Sequence, residues 1–267
     1  MTVIKSCVLN INKPLGWTSR DVLNKLQKIY GYHRFGHAGT LDPLASGVML
    51  VLVSDETKKQ SYYMKLEKDY KCRIFFGVCS PTLDLEGPFE FVSSPFIKDS
   101  SLRQKVEEFL EKHKGLHEQT VPFFSAAKVG GKELYKHART GNVLIDLPVK
   151  KVELKKYSVL DFVLNVSSNF DLIKNELKNE KGLLPKDKEI AEKYYKRLDF
   201  FNKNFSYVDL QVSVGSGYYV RSLARDLGEY LETKAILGSL VRSRVGDFRL
   251  EDSKSIDSFE DKPDLIG

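Results

Sequence analysis

The chain has 267 residues, 42% of them apolar, and its 42 Lys and Arg against 36 Asp and Glu leave a formal charge of +6. Its longest unbroken apolar run, Val48 to Val53, falls far short of the roughly 20 residues a spanning helix needs, and the first residues lack a signal-peptide core, so membrane insertion and secretion are not expected. Three cysteines, Cys7, Cys72 and Cys79, with no C-x-x-C pair, argue against a disulfide framework or a zinc ribbon and fit a reduced, cytoplasmic setting.

In chain order, Thr18 is followed three residues on by Asp21, and Val22, Leu23, Leu26 and Ile29 recur at helical spacing before Gly31, which predicts a capped amphipathic helix. The segments Val48 to Ser54 and Tyr70 to Val78 are rich in β-branched and aromatic residues and are predicted strands. Leu102, Val106, Phe109 and Leu110 before Gly115 give a second helix, and Val152 to Val163 a further strand. From Ser167 to Ser206 the chain becomes dense in Lys, Asn, Glu and Asp, with helical spacing at Ile190, Tyr194, Leu198 and Phe201; this predicts an inserted helical hairpin. Strict alternation in Tyr207 to Val214 predicts a strand, and Val220, Leu223, Leu227 and Leu231 a third helix. The order is that of an α+β protein, not of repeated βαβ units.

Charge is unevenly distributed. Residues 251–267 hold six acids and two lysines, so the body up to Leu250 stands at +10, a balance attractive to polyanions. The segment Gly36-His37-Ala38-Gly39-Thr40-Leu41-Asp42-Pro43-Leu44-Ala45-Ser46-Gly47 places one acid, Asp42, in a Gly- and Pro-punctuated loop that runs into the strand from Val48. On local pattern, Asp42 is either an Asx-turn acid capping its own backbone or a nucleophile or general base held on a rigid loop.

This G-H-x-G-x-L-D-P-L-A-x-G segment resembles the signature of the TruB family of RNA pseudouridine synthases. Four further blocks agree in order: Asn12-Lys13-Pro14-x-Gly16-x-Thr18-Ser19; Lys68-Asp69-Tyr70; Pro122-x-x-Ser125-Ala126-x-Lys128 continuing to Gly141; and Gly217-Tyr218-Tyr219-Val220-Arg221-Ser222-Leu223 continuing to Gly228. The resemblance implies a pseudouridine synthase fold with a mixed, mainly antiparallel central sheet flanked by helices. The catalytic domain would span residues 1–250, interrupted at 167–206, with a short acidic tail at 251–267 and no full C-terminal RNA-binding domain.

The resemblance also implies the reaction. The N1–C1′ bond of a uridine is broken, the uracil turns while held, C5 joins C1′ and the C5 proton leaves, with no cofactor and no metal. One carboxylate suffices for such a step, whereas glycoside hydrolysis ordinarily uses two. In the family's terms Asp42 is the nucleophile, Arg221 pairs with it, Tyr70 stacks on the uracil and assists proton removal, and Tyr219 and Leu240 line the pocket. His37 holds the disrupted RNA loop, and Lys13 of the first block is a candidate substrate contact. The substrate would be the T-arm stem-loop of tRNA, at the uridine numbered 55, acted on by a monomer without a guide RNA. The alternatives are an RNA-guided synthase, a non-catalytic RNA-binding or tRNA-folding module on the same fold, and a nucleoside hydrolase.

Two departures bear on the site. Where the family has T-D-T-x-D-x-x-G, this chain reads Ser80-Pro81-Thr82-Leu83-Asp84-Leu85-Glu86-Gly87, which loses the first acid and puts the segment's polar role in question. Val241 replaces the first Arg of an L-R-R segment in which Arg242 and Arg244 remain, so local RNA contacts are expected to have shifted.

Overall fold

A computed structural model describes residues 6–31, 34–92, 101–139, 146–164 and 206–260. The predicted hairpin at 167–206 lies outside these residues apart from Ser206. The described elements run β1 (Cys7–Lys13), α1 (Ser19–Tyr30), β2 (Phe35–His37), β3 (Ala45–Val53), α2 (Gln60–Lys65), β4 (Lys68–Phe76), β5 (Val78–Cys79), β6 (Glu90–Phe91), α3 (Leu102–Lys112), β7 (Gly115–Thr120), β8 (Lys128–Val129), β9 (Lys132–Glu133), α4 (Leu134–Arg139), β10 (Val149–Val163), β11 (Ser206–Val214), α5 (Val220–Tyr230), β12 (Ala235–Val245), β13 (Phe248–Arg249) and β14 (Lys254–Ser255). The protein is α+β, with a mixed central sheet flanked by helices. Among the described residues no helix is long and apolar enough to cross a membrane.

The described residues fall into two compact units, 6–71 with 240–260, and 72–164 with 206–239; β4 and β12 contribute to both. In the first unit the strand order is β14-β1-β3-β12. β1 pairs antiparallel with β3 from Cys7↔Val53 to Lys13↔Gly47, and parallel with β14. β3 also pairs parallel with β12 at its start and antiparallel with β2 at its end. All nine β3 residues are consequently buried, which accounts for the uninterrupted apolar run. The strand begins at Ala45, three residues before the sequence indicated: Ala45, Ser46 and Gly47 have low strand propensity, but pairing on both sides holds them extended. α1 carries the expected capping box, with Asp21 N–H donating to the Thr18 hydroxyl and Thr18 N–H to the Asp21 carboxylate. Its Val22, Leu23 and Leu26 are buried.

In the second unit the order is β12-β4-β11-β10-β7. Arg73 makes a two-pronged pair with Asp209 at 2.7 Å and lies over the Tyr207 ring, 4.1 Å from its centroid, tying β4 to β11. The alternation read in residues 207–214 appears as buried Val208, Leu210, Val212 and Val214. α3 buries Leu102, Val106, Phe109 and Leu110, and α5 buries Val220, Leu223 and Leu227 with Arg221. β1, β7 and β12 are elements the sequence reading did not anticipate.

Candidate active site

Asp42 sits in the turn Asp42-Pro43-Leu44-Ala45, closed by the Ala45 N–H donating to the main-chain carbonyl of Asp42 at 3.0 Å. Proline at the second position suits such a turn, because its fixed φ is the one required there. The residues on either side of Asp42 are tied to the first sequence block. The Ser19 hydroxyl donates to the Leu41 carbonyl at 3.1 Å and accepts from the Leu41 N–H at 2.9 Å, while the Gly16 N–H donates to the Pro43 carbonyl at 2.7 Å. Leu41 and Ser19 are both buried, whereas Asp42 is partly exposed. A carboxylate on a segment pinned at its neighbours is ready to act on a bound molecule without first being ordered.

After the turn, β3 meets β12 in the parallel register Leu240↔Ala45, Val241↔Ser46 and Arg242↔Gly47. Gly47 has φ +101°, and a Cβ there would stand 2.3 Å from the Arg242 carbonyl oxygen, so the strands approach this closely only with glycine. Leu240 is buried beside the turn. Arg242 is 1% exposed; its Nε donates to the Val48 carbonyl at 2.6 Å and its Nη2 to that of Gly39 at 3.3 Å. Arg244 forks onto Asp69 and pairs with Glu67.

Tyr70 is buried on β4, on the same strand face as Lys68. Lys68 donates to the carbonyls of Met64 and Leu66, and burial, with Arg242 as the second cause, pushes its pKa down to about 8. His37 ends β2, where its carbonyl accepts from Gln60 Nε2. Burial, followed by Arg242 and Arg20, lowers its pKa, which favours a neutral ring. Lys13 is fully buried, and its ammonium donates to the carbonyls of Pro14 and Trp17, bracing the segment that holds the Asp42 turn.

The second unit carries Arg221 and Tyr219. Tyr219 caps α5, and Gln119, 2% exposed, grips its main chain by donating to the Tyr219 carbonyl at 3.1 Å and accepting from its N–H at 2.8 Å. Arg221, 6% exposed, donates to the carbonyls of Thr82 and Phe124, each at 3.0 Å, and lies 3.7 Å from the Asp84 carboxylate. Asp84 is buried and accepts from Thr82 Oγ1 and the Glu86 N–H. The divergent 80–87 segment therefore keeps a polar role through Thr82 and Asp84, while Pro81, at the position of the lost acid, is exposed.

Gln119 and Ser19 are not functional candidates in the sequence, whereas Asp84 and Arg242 stand out there only as residues kept in the two divergent segments. Ser19 could have been, since it stands in a quoted block. Among the described residues no three His, Cys, Asp or Glu side chains gather as a metal-ligand set.

The fold is shared with solved structures. A Cbf5–Nop10–Gar1 complex aligns with TM-score 0.59 at 20% identity over 95% of this chain and 53% of that one. An H/ACA RNP bound to a substrate RNA containing 2′-deoxyuridine aligns at 0.57 and 19%, over 95% and 52%. The family model of the TruB family pseudouridylate synthase N-terminal domain matches residues 27–184. The tRNA pseudouridine synthase B of Deinococcus radiodurans is 35% identical over 97% of this chain and 80% of its own length, and that of Phocaeicola vulgatus 34% over 94% and 91%. The chain belongs to the TruB family of pseudouridylate synthases.

Proposed function

We propose that the protein isomerises uridine to pseudouridine in tRNA, at the T-loop uridine numbered 55, working as a cytoplasmic monomer without a guide RNA. The observation that carries this reading is the family's signature acid, Asp42, on a turn braced through Leu41 and Pro43 by the first sequence block. Asp42 is the nucleophile that promotes cleavage of the glycosidic bond. Arg221, its guanidinium fixed by the Thr82 and Phe124 carbonyls and beside Asp84, is the arginine that serves the same step. Tyr70 offers a ring face to the uracil and a phenol oxygen for removal of the C5 proton. Tyr219 and Leu240 are substrate contacts, and neutral His37 stacks within the opened RNA loop. Lys13, expected from its block as a substrate contact, is fully buried with its ammonium on the Pro14 and Trp17 carbonyls, and its role is that of a brace for this segment. The basic body supplies sequence-independent phosphate contact.

The test is incubation of the purified protein with an unmodified tRNA transcript, followed by chemical mapping of pseudouridine. Conversion of one T-loop uridine without added RNA is expected, together with a deamidation-checked Asp42→Asn variant that binds tRNA normally and converts none. Appreciable turnover by that variant removes Asp42 from its role. Release of free uracil makes the protein a hydrolase, and dependence on a second RNA makes it a guided enzyme.

A further inference from the structure

We propose that Arg242 is a positioning residue for the Asp42 step, holding the 39–48 segment from both ends, and not a phosphate contact. This rests on the functional reading of Asp42 given above. At 1% exposure the guanidinium is out of reach of an RNA backbone, whatever its place in an arginine-containing block suggests. Its two hydrogen-bond acceptors are the Gly39 and Val48 carbonyls, which bracket Asp42 in the chain. The main chain of Arg242 meets the same segment, because it is in register with Gly47 and leaves no space for a Cβ there. Side chain and backbone of one residue therefore fix the start and the end of the stretch that presents the carboxylate.

The charge acts without an acidic partner: among the described residues no carboxylate lies within ion-pair distance of Arg242. Protonation of its neighbours His37 and Lys68 is discouraged first by burial and second by this charge. A planar guanidinium fixes Nε and Nη2 relative to each other and so holds two carbonyls in one rigid geometry, whereas a lysine ammonium, a compact donor on a flexible stem, can reach its acceptors without fixing them.

The experiment compares wild type with Arg242→Gln and Arg242→Lys in four measurements: single-turnover pseudouridine formation, tRNA affinity with its salt slope, unfolding midpoint, and amide hydrogen exchange across residues 39–48. The Gln variant is expected to lose about 100-fold in single-turnover rate, the order of effect that displacement of a reacting group produces. Its affinity and salt slope should stay at wild-type values, and exchange should quicken in 39–48 while the rest of β3 and β1 stays protected. Lys should recover part of both losses.

An unchanged rate overturns the proposal. So does a salt slope shallower by about 1, which marks a lost phosphate contact. Uniform loss of protection, or failure of both variants to fold, makes Arg242 a general folding requirement and also overturns it. If wild type itself forms no pseudouridine, the functional reading fails, and the exchange measurement alone decides whether Arg242 holds the segment.

Discussion

Replacing Ser19 by alanine removes one hydroxyl that satisfies both main-chain polar groups of Leu41, the residue before the catalytic candidate. The donor–acceptor distances are 3.1 and 2.9 Å, and Leu41 and Ser19 are 3% exposed. A buried N–H or C=O left without a partner costs about 1–3 kcal/mol, and relief from burying the serine hydroxyl offsets part of the pair, so a loss of about 2 kcal/mol is expected. That is about a 30-fold change in the folding equilibrium, and for a chain of this size roughly 5 °C in midpoint. Because the freed groups adjoin Asp42, the single-turnover rate should fall about tenfold, with tRNA affinity held by the basic surface. Urea unfolding and rapid-quench pseudouridine assays on the same preparation measure both effects. Stability within about 0.5 kcal/mol of wild type together with an unchanged rate would refute the assigned role of the Ser19 clasp.

Arg221→Lys keeps the charge but loses the planar fork that reaches two carbonyls and faces Asp84, so a large fall in rate is expected; wild-type kinetics would exclude an essential Arg221 clamp. Lys68, pushed down to about 8 by burial and Arg242 from an ordinary value of 10.5, binds its proton less readily folded than unfolded. Unfolding therefore takes up a proton between those values, and this residue's contribution to stability is lowest below about pH 8 and rises with pH across that window. Denaturant titrations of wild type and Lys68→Met at pH 7.5 and 9.5 should show the difference moving towards wild type at the higher pH, and a pH-independent difference would contradict the depressed value.

Elements whose packing follows a simple period could be read directly from the residues: α1 through its capping pair and apolar face, β11 through strict alternation, and α5 through Val220, Leu223 and Leu227. β1 escaped notice because its buried positions include Lys13, and a fully buried lysine reads as a surface residue when its carbonyl partners are unknown. β12 escaped for the same reason, since Arg242 occupies an inward position. β7 is a polar strand at the end of the sheet order, with Leu116 on its exposed face, so neither face shows a clean apolar pattern. Asp42, Tyr70 and Arg221 were identified by motif. Their supports were not, because hydrogen bonds to backbone carbonyls leave no trace in side-chain pattern: the Ser19 clasp, the Gln119 grip and the Arg242 bridge all have main-chain partners.

The Arg242 bridge also sets a schedule for assembly. Its bonds to Val48 and Gly39 span 194 and 203 positions of chain, against 22 for the Ser19 clasp. On a ribosome adding about 5–20 residues per second, roughly 10–40 s separate synthesis of the loop from synthesis of its last tether. During that interval the growing polypeptide displays Asp42 on a half-secured loop. Closure then waits on a strand pairing of very high sequence separation, the kind of contact that forms slowly because so much intervening chain must first be ordered. Competence in this enzyme is thus a late event in its own biogenesis.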